Sequence, residues 1–273
     1  MADVAEPYTR YLRLLGIDGA PSGLEGLRLV VRRHLCCVPF ENVSKLLLYA
    51  REGAGRAVTV TELLDGIEYQ DLGGTCYTLN PHLGHLLRHL GYDVDLVGAD
   101  MTNPNVHTCL RVRLDGVPYH VDVGYGGPFR EPMRLDRVPY DFQEGALRYV
   151  LDRNRDQGAY EMSVYSGEER RHGYIVHAPP RDLAFFDPVI RDSFVPGRTF
   201  MSGLRVVRFS DEGSVELTNR TLRVHRGSKS SQIELNTRDQ LQSVVSHEFA
   251  MPRCPIDAAV TILERLNQRP LFD

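Results

Sequence analysis

The chain has 273 residues, 42% hydrophobic and 25% charged, with 32 basic against 36 acidic side chains and a net charge of −4. That length allows a sizeable core in one to three domains, and without a basic excess nothing points to a nucleic-acid partner. No apolar run approaches the ~18 residues of a membrane span, the acidic residues 1–8 lack the apolar segment of a secretory signal, and five cysteines without a Cys-x-x-Cys pair read as free thiols of a cytoplasmic chain.

Residues 7–90 read mostly as helix. Tyr8, Tyr11, Leu12, Leu14 and Leu15 predict a short helix stopped by Gly16. Ser22 is placed to cap a second helix, with Leu24, Leu27, Leu29, Val30 and Leu35 on its apolar face and Pro39 past its end. Thr59 or Thr61 starts a third through Leu63, Leu64 and Ile67. A fourth carries Leu79, Leu83, Leu86, Leu87 and Leu90 at spacings of three and four, and ends at Gly91. Val94 and Leu96 then alternate with Asp93 and Asp95, which is a strand pattern. Residues 106–210 are β-rich, with strands expected at 147–152, 160–165 and 173–177 and a loop at 194–198. Strands at 204–209, 214–217 and 221–225 and helices at 238–249 and 255–266 complete the chain. Helices first, β in the middle and mixed elements last make an α+β protein with no internal repeat or low-complexity segment.

The segment Gly73-Gly74-Thr75-Cys76-Tyr77-Thr78-Leu79-Asn80 puts Cys76 in the first turn of the fourth helix. There the macrodipole and unpaired N–H groups favour a thiolate, so Cys76 is a candidate nucleophile. The alternative is an inert buried thiol, the usual state of a free cysteine.

Asp115-Gly116 between alternating runs at 108–114 and 117–123 signals a two-residue hairpin turn of type I′. Leu114 then pairs with Val117, Arg111 faces His120, Cys109 faces Asp122 and His107 faces Gly124. Leu110, Val112, Leu114, Val117, Tyr119, Val121 and Val123 lie on one face, read as core, and His107, Cys109, His120 and Asp122 share the other, read as polar. His107 and Asp122 are diagonal neighbours within side-chain reach. A carboxylate there can fix the imidazole tautomer and free the other ring nitrogen. With Cys76 they supply nucleophile, base and orienting carboxylate. A satisfied structural histidine is the plainer reading. The same face also offers His107, Cys109, His120 and Asp122 as metal ligands, although Arg111 and Arg113 beside them disfavour a cation. Two further stretches could line a site. Val38-Pro39-Phe40-Glu41-Asn42-Val43 sets an aromatic, a carboxylate and an amide in a row, or is simply a Pro-terminated helix end. Gly124-Tyr125-Gly126-Gly127-Pro128-Phe129 leaves the Asp122 strand with three glycines, whose backbone can cradle phosphate without the signature of a Walker loop.

These residues together resemble the arylamine N-acetyltransferase family. Pro39-Phe40-Glu41-Asn42-Val43 matches its Pro-Phe-Glu-Asn-aliphatic segment, the Cys76 stretch is similar to its Arg-Gly-Gly-x-Cys-Phe-Glu-Leu-Asn, His107 begins its His-x-x-Leu strand, and Val121-Asp122-Val123-Gly124-Tyr125-Gly126 is similar to its Val-Asp-Val-Gly-Phe-Gly. The resemblance implies a three-part fold: a helical bundle at 1–91 holding the cysteine, a β-barrel domain at 92–200 holding His and Asp, and an α/β lid at 201–273. It implies a cysteine-protease-like triad of Cys76, His107 and Asp122, with ping-pong transfer from acetyl-CoA, without a metal, to an arylamine, hydrazine or N-hydroxyarylamine. Phe40 and Tyr125 would flank the acceptor ring, and Gly126 and Gly127 would meet the coenzyme. Alternatives within the resemblance are an amide synthase of polyketide assembly, fed by a carrier-bound thioester, and a homologue that binds small aromatics without turnover. The chain departs from the family at Leu72, where relatives carry Arg, and at Thr78, where they often carry Glu; its early arginine is displaced by one in Tyr11-Leu12-Arg13-Leu14-Leu15-Gly16. In relatives those arginines lie near the Pro-Phe-Glu-Asn glutamate, so Glu41 is expected either to find another arginine, such as Arg10 or Arg13, or to be exposed.

Overall fold

The computed structural model describes residues 6–154, 159–227 and 229–272. The first part of the chain forms α1 (Glu6–Leu14), α2 (Gly23–Cys37), the two-residue strand β1 (Phe40–Glu41), α3 (Val43–Glu52), α4 (Val60–Gln70) and α5 (Cys76–His89). α4 starts at Thr59, whose hydroxyl accepts from Glu62 N–H while Glu62 caps the Thr59 amide in return. Ser22 occupies the N-cap position of α2 without making a side-chain bond. Leu29, expected on the apolar face of α2, is 44% exposed, and Val31 is buried in its place. α3 was not anticipated, because its Leu46-Leu47-Leu48 run has no helical period.

Eight antiparallel strands follow: β2 (Asp93–Asp100), β3 (His107–Leu114), β4 (Val117–Val121), β5 (Met133–Arg134), β6 (Tyr140–Glu144), β7 (Leu147–Asn154), β8 (Ala159–Ser166) and β9 (Glu169–Pro180). They form one sheet in the order β5-β4-β3-β2-β9-β8-β7-β6. Met133 from one edge and Phe142 from the other pack into the same apolar cluster, so the sheet curls to near closure around it. The β3–β4 register is as the Asp-Gly turn requires: Leu114 faces Val117 and Arg111 faces His120, with φ of 50° at Asp115 and 77° at Gly116.

Both faces of this hairpin are buried. Leu110, Val112, Val121 and Val123 pack with the helices, as expected of the core face. The face read as polar points into the barrel, where Cys109, His120 and Asp122 are at most 1% exposed. Only its far end stays near solvent, where Arg111 and Arg113 pair with Asp95.

A short 3-10 helix (Leu183–Phe186), α6 (Asp187–Asp192) and α7 (Thr199–Ser202) lead to β10 (Arg205–Phe209), β11 (Gly213–Thr218), β12 (Thr221–Arg226) and β13 (Lys229–Glu234). α8 (Arg238–His247) and α9 (Ile256–Asn267) end the fold. The second sheet has the order β1-β10-β11-β12-β13, so the strand carrying Phe40 pairs with the C-terminal part: Phe40 faces Val207 and Glu41 faces Val206. Asn42 reinforces this join. Its side-chain amide donates to Phe200 O (2.9 Å) and Gly203 O (2.7 Å), and its oxygen accepts from Arg205 N–H (2.8 Å).

Candidate active site

Cys76 is the first residue of α5 and is 6% exposed. β3 and β2 pack on α5, which brings the start of β3 to the start of the helix. Thr108 fixes that junction by donating its hydroxyl to Cys76 O (3.1 Å). Gly124 permits a second close approach. A Cβ there would lie 2.6 Å from Cys76 Cα and 2.6 Å from Asn80 Nδ2, so no other residue lets the exit of β4 pass so near the helix.

His107 and Asp122 meet inside this junction, both at most 2% exposed. His107 Nε2–H donates to Asp122 Oδ2 at 2.8 Å. The Cys76 thiol donates to Val106 O at 3.9 Å and lies near enough to the His107 ring to favour its charged form, on the side left to Nδ1. Asp122 accepts three more bonds: Asn80 Nδ2 (2.9 Å) and Gly124 N–H (2.9 Å) on Oδ1, and the Tyr174 hydroxyl (2.8 Å) on Oδ2. Since Tyr174 donates to Asp122, its oxygen accepts from His120 Nε2–H at 2.9 Å.

Burial works against a charged His107, but the Asp122 carboxylate and the hydrogen bonds to Asp122 and Cys76 outweigh it and raise its pKa to about 10. Burial also opposes ionisation of Asp122, yet the facing His107, then His120 and Asn80, hold it down at about 2. Burial pushes His120 down to about 4, which keeps it neutral. The pair is therefore imidazolium beside carboxylate, with a thiol in contact with the imidazole. Such a set can hold a thiolate ready and pass a proton to a leaving group.

The other expected residues lie close by. Tyr125 sets its ring edge-on to His107, centroids 5.6 Å apart, and its hydroxyl meets His172 Nδ1. Phe40 is edge-on to Phe200 at 5.7 Å. Gly126, at φ 74°, brings its backbone against the Phe40 ring, and Gly127 packs against Phe129 and Tyr125. The metal alternative fares differently: His107 Nε2 is bonded to Asp122 and His120 to Tyr174, and among the described residues no group of three or more His, Cys, Asp or Glu could hold an ion.

Glu41 corrects the expectation of an arginine partner or an exposed carboxylate. It is fully buried, and its oxygens accept backbone N–H bonds from Ser44 (2.8 Å) and Gly73 (3.0 Å). Arg10 and Arg13 instead pair with Glu68 on α4, and Leu72 packs in the core. Burial raises the Glu41 pKa and the amides oppose that rise. The carboxylate thus ties β1 to the Gly73 end of the cysteine turn through backbone amides and makes no ion pair among the described residues.

Asn80 and Tyr174 were not singled out from sequence. Asn80 sits one turn after Cys76, a spacing that places both on one helix face. Tyr174 lies on β9 and reaches Asp122 only through the strand order, which leaves no local signal.

A family model described as N-acetyltransferase matches residues 23–252. An arylamine N-acetyltransferase of Mycolicibacterium smegmatis is 29% identical over 255 residues, covering 88% of this chain and 90% of that protein. An arylamine N-acetyltransferase / N-hydroxyarylamine O-acetyltransferase of Salmonella typhimurium is 33% identical over 252 residues, covering 85% and 84%. The solved structure of Mycobacterium marinum arylamine N-acetyltransferase in complex with CoA superposes with a TM-score of 0.79 at 24% identity, over 96% of this chain and 99% of that one.

Proposed function

The chain belongs to the arylamine N-acetyltransferase family, and from that membership we propose that it carries an acetyl group from acetyl-CoA to an arylamine, hydrazine or N-hydroxyarylamine through an acetyl-Cys76 thioester. The observation that carries this reading is the buried His107–Asp122 pair, bonded at 2.8 Å, with the Cys76 thiol at the start of α5 beside the imidazole. In the first half-reaction the Cys76 thiolate attacks the thioester carbonyl. The new C–S bond forms, the bond to CoA breaks, and His107 gives its proton to the departing CoA thiolate. In the second, the acceptor nitrogen attacks acetyl-Cys76, His107 takes the amine proton, and the thiolate is released. Asp122 keeps His107 oriented through both steps and stabilises its imidazolium before the first and after the second.

The first-turn N–H groups of α5 are the natural donors to the tetrahedral oxyanion, since Thr75 supplies no side-chain cap to compete for them. Phe40 and Tyr125 flank the acceptor ring. Gly126 and Gly127 meet the coenzyme in this reading; a relative from Mycobacterium marinum was solved in complex with CoA, which supports CoA as the donor. The working units in this reading are the helical part at 1–91, the β part at 92–200 and the C-terminal part at 201–273, in a protein placed in the cytoplasm. Initial rates measured against acetyl-CoA at several fixed arylamine concentrations test the scheme: parallel double-reciprocal lines are expected, and intersecting lines overturn it. Turnover with a carrier-bound acyl thioester but not with acetyl-CoA would mark an amide synthase instead.

A further inference from the structure

A cavity of about 270 Å3 lies between α3, α4 and the 190–194 segment, and its floor is the cysteine turn itself, through Gly73, Thr75, Tyr77 and Thr78. Neither His107 nor Asp122 lines it, so it is separate from the hydrogen-bonded chain described above. Leu47, Leu48, Val58, Leu63, Leu72 and Ile190 make its walls largely aliphatic. The charged residues on its outer lining are paired: Arg51 and Arg56 with Glu52 and Glu62, and Asp65 with Arg10.

Lys45 is different. It lines the cavity, it is 8% exposed, and among the described residues no carboxylate lies within ion-pair distance of it. Its ammonium donates to Ser193 Oγ at 2.6 Å and sits 3.8 Å over the Phe194 ring. Ser193 passes its own hydrogen to Ile190 O, and the ring offers no negative charge. Burial pushes the Lys45 pKa down to about 8, with the Cys76 charge opposing, so the side chain is still a cation at neutral pH. A buried cation with two weak partners is a site short of one anion.

We propose that this cavity binds a small organic carboxylate, with its carboxylate on Lys45 Nζ and its apolar body against the leucine-lined wall. One negative charge balances one ammonium, whereas a phosphate would bring a second charge, and among the described residues that line the cavity the other cations, Arg51 and Arg56, are already paired. The Thr75 and Thr78 hydroxyls on the floor offer further donors. The volume suits such a ligand, since a cavity of about 150 Å3 already admits benzene. The ligand sits against the turn that carries the nucleophile, and Lys45 senses the charge on Cys76. Carboxylate binding is therefore linked to that charge: an uncharged residue 76 favours the anion, and the coupling is reciprocal.

Calorimetric titration of the full chain with benzoate and hexanoate tests this without any turnover. Wild type is expected to bind either probe saturably at one site, with benzyl alcohol and hexanol at least about tenfold weaker, Lys45→Met at least about tenfold weaker for the anions, and Cys76→Ser at least as tight as wild type. Lys45→Gln serves the same comparison if the Met variant does not fold, and the alcohol comparison needs no variant. No saturable binding to wild type, equal binding by the neutral analogues, equal binding by the Lys45 variants, or competition by inorganic phosphate overturns the site. Weaker binding by Cys76→Ser overturns the coupling. Loss of acetyl transfer would leave the proposal standing, because its readout is affinity for the carboxylate.

Discussion

At the scale of the residue, Asp122 is held from four sides inside the barrel. Its two oxygens accept from His107, Tyr174, Asn80 and Gly124. Asp122→Asn keeps the volume but turns one acceptor into a donor that must face one of those donors. It also removes the charge that holds His107 as imidazolium. Activity as kcat/KM is expected to fall by roughly 10³–10⁴-fold, the cost of losing the orienting carboxylate in an analogous triad. The same pair sets a pH dependence of stability. Asp122 titrates below its ordinary value, so its contribution is complete above about 3.8 and is lost as pH falls through about 2. His107 titrates above its ordinary value, so its contribution is complete below about 6.5 and is lost as pH rises through about 10. The difference in unfolding free energy between wild type and Asp122→Asn is therefore expected to shrink from pH 6 to pH 10 in denaturant titrations. A difference that grows contradicts the charge assignment. For His107→Ala, alkylation of Cys76 by iodoacetamide near neutral pH is expected to slow at least about tenfold; an unchanged rate removes His107 from the set. His107 and Asp122 were legible as a pair because the Asp115-Gly116 turn fixes the register of two period-two strands. Tyr174 was not, since it arrives from a strand 52 residues further along the chain.

At the scale of the element, the site depends on how near β4 passes to α5. Gly124 is the residue that allows it. In Gly124→Ala the new methyl would press on both Cys76 Cα and Asn80 Nδ2. A loss of about 1–3 kcal/mol of stability is expected from the overpacking, and about a hundredfold loss of kcat from the shifted nucleophile; thermal unfolding and single-turnover rates measure the two separately. A Gly124→Ala variant with wild-type kcat would mean that the Cys76 position is less tightly fixed than this packing implies. The elements read most easily from sequence were those with a clear period, such as α5 and the β3–β4 hairpin. Several of those missed lack one. β1 is two residues long, and β13 reads Lys-Ser-Ser-Gln-Ile-Glu, exposed throughout, so no buried alternation marks it. The hairpin's second face was misjudged for a related reason: His, Cys and Asp on alternate positions look like a solvent face until the sheet curls and encloses them.

At the scale of the whole molecule, a few long-range ties join the C-terminal part to the helical part and to the barrel. β1 belongs by sequence to the helical part and by hydrogen bonding to the C-terminal sheet. Arg130, just beyond the Gly126-Gly127 loop, pairs with Glu144 of the barrel and donates to Ser210 O (2.8 Å) and Gly213 O (2.9 Å) of the C-terminal part. Arg130→Ala leaves those two carbonyls without that donor. It is expected to lower stability by about 1–3 kcal/mol and to raise the KM for acetyl-CoA more than it lowers kcat; an unchanged KM would detach the loop from coenzyme binding. The ties to the C-terminal part were not visible as a local pattern, because the Arg130 bonds to Ser210 and Gly213 span 80 and 83 positions and β1 joins a sheet from another part of the chain. The substitutions Leu72 and Thr78 were visible, but their consequence was not: the backbone amides of Ser44 and Gly73 take the place expected of an arginine. In the proposed reaction Cys76, assisted by the His107–Asp122 pair, passes through a covalent acetyl intermediate. Rapid mixing with acetyl-CoA in the absence of an acceptor amine, followed by intact-protein mass spectrometry, tests it most directly. One acetyl group per chain on wild type, absent from Cys76→Ala and discharged when an arylamine is added, is the expected result. An unmodified wild-type chain, or an adduct that persists in Cys76→Ala, contradicts it.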